Sequence, residues 1–278
     1  GYFTKENAKD YNIPFTLVKT QEARFIEHQN PIYTLQTKYE ITIDRGERKT
    51  KAIGLFHQNN NVLSGSFATE TGDYRFLDGI VDGKTLKLST FDGSHLFLFT
   101  ADIKGDSLIN GNYISGKTGH YTWVGKSNPS FKLRNPEKLT YLKNANETSV
   151  NFKLISTDGD SISLSDKKFE GKVKLIQIMG TWCPNCLDET RYFTQLYSAY
   201  KNKGLEIIAI AFENGTDTQK ILEKLNKYKN TNGIKYSVLY GGKAGSQYAE
   251  EVFPQLNKIM SFPTTIYLDK NNNVRKIY

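Results

Sequence analysis

The stretch that decides the fold is Val173-Lys174-Leu175-Ile176-Gln177-Ile178-Met179-Gly180-Thr181-Trp182-Cys183-Pro184-Asn185-Cys186. Its first seven residues form a nearly continuous apolar run, as in a strand buried on both faces of a sheet. Pro184 suits the first position of a helix, where its missing N–H costs nothing, and the pattern predicts a helix over residues 184–200. Cys183 then stands at the helix N-terminus, where unpaired backbone N–H groups and the helix dipole favour a thiolate. Cys186 follows one turn later on the same face. An exposed sulfur of low pKa backed by a sheltered second one is what attack on a disulfide, and release of the resulting mixed disulfide, requires.

The chain has 278 residues and only these two cysteines. A secreted fold stapled by disulfides would carry several at wide spacing, so the pair is either redox-active or half of a metal site. Zinc would want two more ligands, and the sequence offers no second pair. His28, His57, His95 and His120 lie far apart with no ligand spacing; His95 and His120 are expected to serve turn or sheet hydrogen bonds.

Downstream, residues 205–212 read as a second buried strand and residues 217–228 as a helix capped by Asp217. Residues 248–260 read as a third helix. Residues 264–268 and 274–278 read as strands joined by an Asn-rich turn. Upstream, residues 150–154 and 161–164 flank Asp158-Gly159 as an entry hairpin. Strands alternating with helices predict an α/β domain with a central mixed sheet.

The first half has the other periodicity. Apolar-rich runs at residues 39–43, 63–67, 74–77, 86–91, 96–103 and 112–114 alternate with Asp78-Gly79, Asp82-Gly83, Asp92-Gly93 and Lys104-Gly105. Asp-Gly between apolar runs is a hairpin cue. The prediction is an antiparallel all-β, up-and-down meander, closing into a small barrel or barrel-like sandwich. The pattern breaks between residues 126 and 146, around Pro129 and Pro136. A β-rich domain is therefore expected over 1–130, a linker over 131–139 and an α/β domain over 140–278.

Net charge is +8, shared between the halves. The one dense basic stretch, Lys220, Lys224, Lys227 and Lys229, alternates with Ile221, Leu222, Leu225 and Tyr228 at helical spacing and reads as a solvated helix face. No nucleic-acid-binding motif accompanies it, so nucleic acid is not an expected partner. No apolar run of about twenty residues is present. The chain begins at Gly1 rather than Met and ends abruptly at Tyr278, so pieces beyond both ends are expected.

Residues 149–278 resemble thioredoxin-fold proteins of the TlpA/ResA type, found in bacterial cell envelopes. The resemblance rests on Gly171-Lys172-Val173, on Thr181-Trp182-Cys183-Pro184-Asn185-Cys186, and on Phe262-Pro263-Thr264-Thr265 with Leu268-Asp269. It implies a thiol–disulfide oxidoreductase, by family likeness a reductase of protein disulfides, located in the periplasm or on the outer face of the envelope. It implies Cys183 and Cys186 as the catalytic pair and a cis Pro263 against them. Trp182, Pro184, Phe262, Pro263 and Thr264 would border the groove that receives a client chain. No cofactor beyond the Cys183–Cys186 disulfide is implied. The partners would be a disulfide-containing client protein and an upstream electron donor, with a membrane tether through a missing N-terminus. Glu189, three residues past Cys186, matches a glutamate that would carry protons for the pair. The competing reading is a first-turns acidic residue stabilised by the helix dipole. Thioredoxin has an aspartate where this chain has Gln177, which leaves Glu189 as the candidate proton carrier. Ile13-Pro14-Phe15 ahead of a β-meander, with Gly72-Asp73-Tyr74-Arg75 and Phe91-Asp92-Gly93-Ser94-His95, is similar to exported proteins of Bacteroidetes; no activity of the meander follows.

Two other classes compete. A peroxiredoxin-like thiol peroxidase would want a threonine where Gly180 stands and a proline upstream. A binding module led by the meander, with an incidental redox or zinc-holding cysteine pair, would show copurifying ligand or zinc.

Overall fold

The structure, a computed structural model, describes residues 1–4, 10–16, 18–20, 24–144 and 146–278. The chain divides into two compact units, Gly1–Leu133 and Arg134–Tyr278.

The first unit holds β1 (Tyr2–Thr4), β2 (Asn12–Pro14), β3 (Lys38–Asp44), β4 (Lys49–Asn59), β5 (Val62–Thr69), β6 (Gly72–Asp73), β7 (Leu77–Asp82), β8 (Thr85–Phe91), β9 (Leu96–Lys104), β10 (Ser107–Ser115) and β11 (Gly119–Ser127). Apart from the β1–β2 pair, these form one antiparallel sheet in the order β4-β3-β11-β10-β9-β8-β7-β5-β6. β4 also pairs with β5, so the sheet closes into the expected up-and-down barrel. Alternate residues point inward, as the two-residue period of a strand requires. The interior is filled with rings: Phe99 stacks on Tyr113 at 4.2 Å and on Phe67 at 4.4 Å, and Trp123 meets Phe67 edge-on at 5.3 Å. The Trp123 indole N–H donates to the Asn112 carbonyl at 3.1 Å, so its one polar atom is satisfied.

Three details depart from the sequence reading. Asp78-Gly79 is no turn but lies inside β7, opposite Ser89 and Leu88 of β8. Gly79 is there because a Cβ would run into the Lys87 carbonyl of the neighbouring strand; a glycine within a strand often marks such an approach. The other three glycines do turn the chain, at φ of 59° (Gly83), 90° (Gly93) and 58° (Gly105). Residues 74–76 interrupt the sheet, with Arg75 in the left-handed region at φ 55°. β4 and β11 escape the apolar pattern because lysines, glycines and a histidine dilute it.

The second unit holds β12 (Lys153–Ser156), β13 (Ser161–Ser163), β14 (Val173–Met179), α1 (Pro184–Tyr200), β15 (Leu205–Glu213), α2 (Thr218–Thr231), β16 (Ser237–Lys243), α3 (Ser246–Val252), β17 (Thr264–Leu268) and β18 (Val274–Ile277). The sheet runs β13-β12-β16-β15-β14-β17-β18, parallel across β14, β15 and β16 and antiparallel elsewhere. Central strands buried on both faces feed two cores. Ile176, Ile178, Ile208, Ile210 and Phe212 enter one; Leu175, Met179, Ile207, Ala209 and Ala211 enter the other. Helix α1 meets the second core with Cys186, Thr190 and Phe193, a stripe at helical spacing. Residues 136–138, placed in the linker by the sequence, form a short 3-10 turn in this unit, and Glu137 pairs with Lys276 at 2.8 Å.

The expected third helix over residues 248–260 is only Ser246–Val252. Pro254 lacks the N–H that continued winding would use, and the chain beyond it is irregular. β16 was not foreseen, because Gly241-Gly242 and Lys243 conceal a strand. A Cβ at Gly241 would come within 2.6 Å of the Phe212 ring, which is why glycine sits there. The entry hairpin begins three residues later than read, at Lys153.

The filled barrel carries a stability prediction. Phe99→Ala removes a ring that is 0 % exposed and packed on five aromatic neighbours, and should cost about 3–5 kcal/mol. Phe76→Ala removes a ring that is 77 % exposed and should stay within about 0.5 kcal/mol of the parent. Urea unfolding of both variants followed by circular dichroism measures the contrast; equal losses would contradict the packing.

Candidate active site

β14 ends at Met179 and α1 starts at Pro184, leaving four residues to turn the chain. Gly180 permits the turn. A Cβ there would meet the Trp182 ring and lie 2.9 Å from the Phe212 carbonyl, which also explains why this site cannot carry a peroxidase-type threonine. Trp182 folds back so that its indole N–H donates to that carbonyl at 2.8 Å, and its ring lies 5.6 Å from Phe262.

Cys183 is the N-cap of α1, and its Sγ accepts the Cys186 backbone N–H at 3.2 Å. The two cysteines form a disulfide. Cys186 is 0 % exposed and Cys183 only 6 %. The sheltered second sulfur is as expected, but Cys183, expected to be exposed, is buried too: it packs in one cluster with Met179, Phe193 and Phe262. Its Sγ lies 3.5 Å from the Phe262 carbonyl oxygen. The Phe262–Pro263 bond is cis. Thr264 is buried and its hydroxyl donates to the Ser261 carbonyl at 2.8 Å, so its side chain faces inward. Trp182, Cys183, Cys186, Phe262 and Pro263 are thus brought together at the junction of β14, α1 and the chain entering β17.

Glu189 sits beneath this junction. Gln177 and Thr265 face each other across β14 and β17 and both bind its carboxylate: the Gln177 amide donates to Oε2 at 3.0 Å and the Thr265 hydroxyl to Oε1 at 2.7 Å. The same amide lies 3.4 Å from the Cys186 carbonyl and 3.2 Å from Thr190 Oγ1. Thr190 in turn accepts from the Tyr228 hydroxyl at 3.2 Å. Burial pushes the Glu189 carboxyl above its ordinary range, against the lowering pull of the Thr265 and Gln177 hydrogen bonds. Gln177 is therefore no vacant relay position; it is a fully buried amide joining Glu189 to the first turn of α1.

One group escaped the sequence reading. Glu213, at the end of β15, is 0 % exposed. It accepts the Thr181 N–H at 2.6 Å, the Thr181 hydroxyl at 2.7 Å and the Lys224 ammonium at 2.8 Å. Its partner Thr181 is 32 residues away in sequence, so no local pattern points to it. Lys224, read as part of a solvated face, belongs to this cluster. His95 serves a turn as expected, with Nδ1 3.1 Å from Asp92 Oδ2. Among the described residues no cluster of three or more His, Cys, Asp or Glu could hold a metal ion.

A disulfide spanning the first turn of a helix, at the end of a buried central strand and beside a cis proline, defines a thioredoxin-like redox domain. The chain belongs to the Redoxin family, whose model matches residues 124–278. It is similar to the thiol-disulfide oxidoreductase ResA of Halalkalibacterium halodurans, 28% identical over 138 residues covering 49% of this chain and 69% of the relative. It is also similar to that of Bacillus anthracis, 31% identical over 126 residues covering 45% and 63%. The chain thus spans about two thirds of the length of the curated relatives it matches. Among solved structures it is similar to a thiol-disulfide oxidoreductase from Bacteroides fragilis (16% identity, TM-score 0.39, 47% of this chain and 89% of that one). Another is a thiol:disulfide interchange protein from Chlorobium tepidum (22%, TM-score 0.38, 49% and 87%). The TlpA/ResA kinship read from the motifs is borne out by the curated relatives, and with it the oxidoreductase class.

The raised Glu189 pKa has a consequence for stability. An acid whose folded pKa exceeds its unfolded value opposes folding once pH rises above the unfolded value, here near 4.5, and does so fully above the folded value. Glu189→Gln should therefore be more stable than the parent at pH 7, and the difference should vanish as pH falls below 4.5. Thermal unfolding of the oxidised proteins across pH 4–8 measures it; a difference that does not change with pH would show that the carboxyl is not perturbed by burial.

Proposed function

We propose that the chain is a reductase of protein disulfides, working in the periplasm or on the outer face of the cell envelope. The observation that carries this reading is Cys183 as the N-cap of α1, its Sγ accepting the Cys186 N–H at 3.2 Å, with Cys186 fully buried behind it. In the reduced enzyme this arrangement favours a thiolate on Cys183. That thiolate attacks one sulfur of a client disulfide, forming a mixed disulfide and expelling the client's other sulfur, which takes up a proton. Cys186 then loses its proton and attacks Cys183 Sγ, and the client's second thiolate leaves and is protonated. The client gains two electrons and two protons, and the enzyme is left with the Cys183–Cys186 disulfide. An upstream dithiol donor reverses the cycle.

Glu189 is the proton carrier in this scheme. Burial raises its pKa above the ordinary carboxylate range, toward that of the thiols it would exchange protons with. Trp182, Pro184, Phe262, Pro263 and the backbone of Thr264 form the border against which an extended client segment lies. The electrons reside on the cysteine pair, with no further cofactor. No helix among the described residues is long and apolar enough to cross a membrane.

Replacing Cys186 with serine should leave the attacking sulfur without its resolving partner and trap mixed disulfides with client proteins. Replacing Cys183 with serine should trap none. Non-reducing gels of the tagged variants separate the two, and the wild-type chain should reduce insulin while both variants fall to background. Trapping by the Cys183 variant alone would reverse the roles.

A further inference from the structure

The turn that carries Cys183 is held from one side. Thr181 gives both of its donors to Glu213, and Trp182 gives its indole N–H to Phe212, the residue next to Glu213. Three hydrogen bonds of 2.6–2.8 Å therefore tie two consecutive residues of the turn to the last two of β15. Glu213 has both oxygens in use, and Lys224 supplies the countercharge that a fully buried carboxylate needs. Hydrogen bonds to an ionised acceptor are short and about twice as strong as neutral ones. Serine or asparagine at 213 could not take both Thr181 donors and the ammonium together. The arrangement is more costly to build than a neutral turn, and it stands two residues from the sulfur that caps α1.

We propose that Glu213 is a positioning residue for the redox pair: it moors Thr181, and through the Thr181-Trp182 turn it holds Cys183 Sγ at the N-terminus of α1. The proposal rests on the reading of Cys183 as the attacking sulfur, and it deepens that reading by naming what keeps the sulfur in place. Without the mooring, Cys183 leaves the N-cap geometry and loses the Cys186 N–H and the alignment with the helix dipole. Its thiolate is then less favoured, so its pKa rises. The direct charge effect has the opposite sign. Removing a negative group next to Lys224 would favour the thiolate. The two effects are separable by substitution.

The test is a thiolate titration of Cys183 in the reduced full chain, with insulin reduction measured on the same preparations. Glu213→Ala removes mooring and charge; Glu213→Gln removes the charge but keeps a carbonyl oxygen for the Thr181 N–H. Mooring predicts a pKa raised by about one unit in the alanine variant, a tenfold loss of thiolate at a pH below both values. It also predicts a lower kcat with KM little changed, and recovery of both in the glutamine variant. Both variants lowering the pKa alike would assign Glu213 a purely electrostatic effect and overturn the proposal. A lowered melting temperature with an unmoved titration would make it structural only and equally overturn it. Thr181→Val, which deletes only the hydroxyl donor, keeps the question answerable if the alanine variant does not fold: a smaller rise supports the mooring and no change refutes it. The titration reads Cys183 whether or not insulin is the right substrate. A wild-type chain inactive on insulin would therefore count against the proposed function and leave the mooring to be judged on the pKa.

Discussion

A helix can lower the pKa of a sulfur only within its first turn, so the chemistry of the second unit depends on keeping Cys183 at one point in space. That point is where β14, buried on both faces, passes into α1. Residues 180–183 make the passage, Pro184 opens the helix, and Cys183 is held in place by its neighbours on both sides. Gly180 leaves room for the Trp182 ring. Thr181 is bound to Glu213. Trp182 is bound to the Phe212 carbonyl. Pro184 opens the helix without losing a hydrogen bond. The sheet fixes the helix, the helix end selects the sulfur, and the turn aligns the two.

Behind the sulfurs the protein keeps a carboxyl in a polar niche rather than in a bare apolar one. Glu189 is bound by Gln177 and Thr265, which face each other on adjacent strands, and its acidity is the balance between their hydrogen bonds and its burial. Burial wins. An amide at 177 does what a second carboxyl there could not: it donates to Glu189 and to Thr190 without adding a charge that would also have to be neutralised. A single carboxyl behind the sulfurs, held by neutral donors, titrates more simply than two coupled acids in that niche would.

The sequence was most informative where chemistry and secondary structure coincide. Strand β14, the start of helix α1 and the cap at Cys183 were all visible in one stretch of fourteen residues, because strand pattern, proline and cysteine spacing agree there. Asp217 was legible as a cap for the same reason. Glu189 was legible only through the family resemblance, beside a competing reading as a helix-dipole residue. Three failures share a cause: the deciding contact lay on another element of the fold. Gly79 imitates a turn, but the Lys87 carbonyl demands it. Gly241-Gly242 hides β16, but the Phe212 ring demands one of the pair. Glu213 looks like the polar end of an apolar strand, but Thr181 and Lys224 make it part of the site. Pro254 is different: its missing N–H is legible in the sequence, and α3 ends before it at Val252.

Closure of the barrel in the first unit has a kinetic side. Seven of its eight seams join strands that follow one another in the chain, from β3–β4 to β10–β11 with only the short β6 interposed, and each can form as a local hairpin. The eighth joins β3 to β11, pairing Asp44 with Thr122 and Tyr39 with Ser127. Loop-closure entropy grows only slowly with length, so this distant seam is cheap once the other strands have curled and slow to be found before they have. The barrel is a structure whose ends must wait for its middle, and β11 is the element whose docking on β3 closes the open sheet, with the short β6 left outside the closed ring.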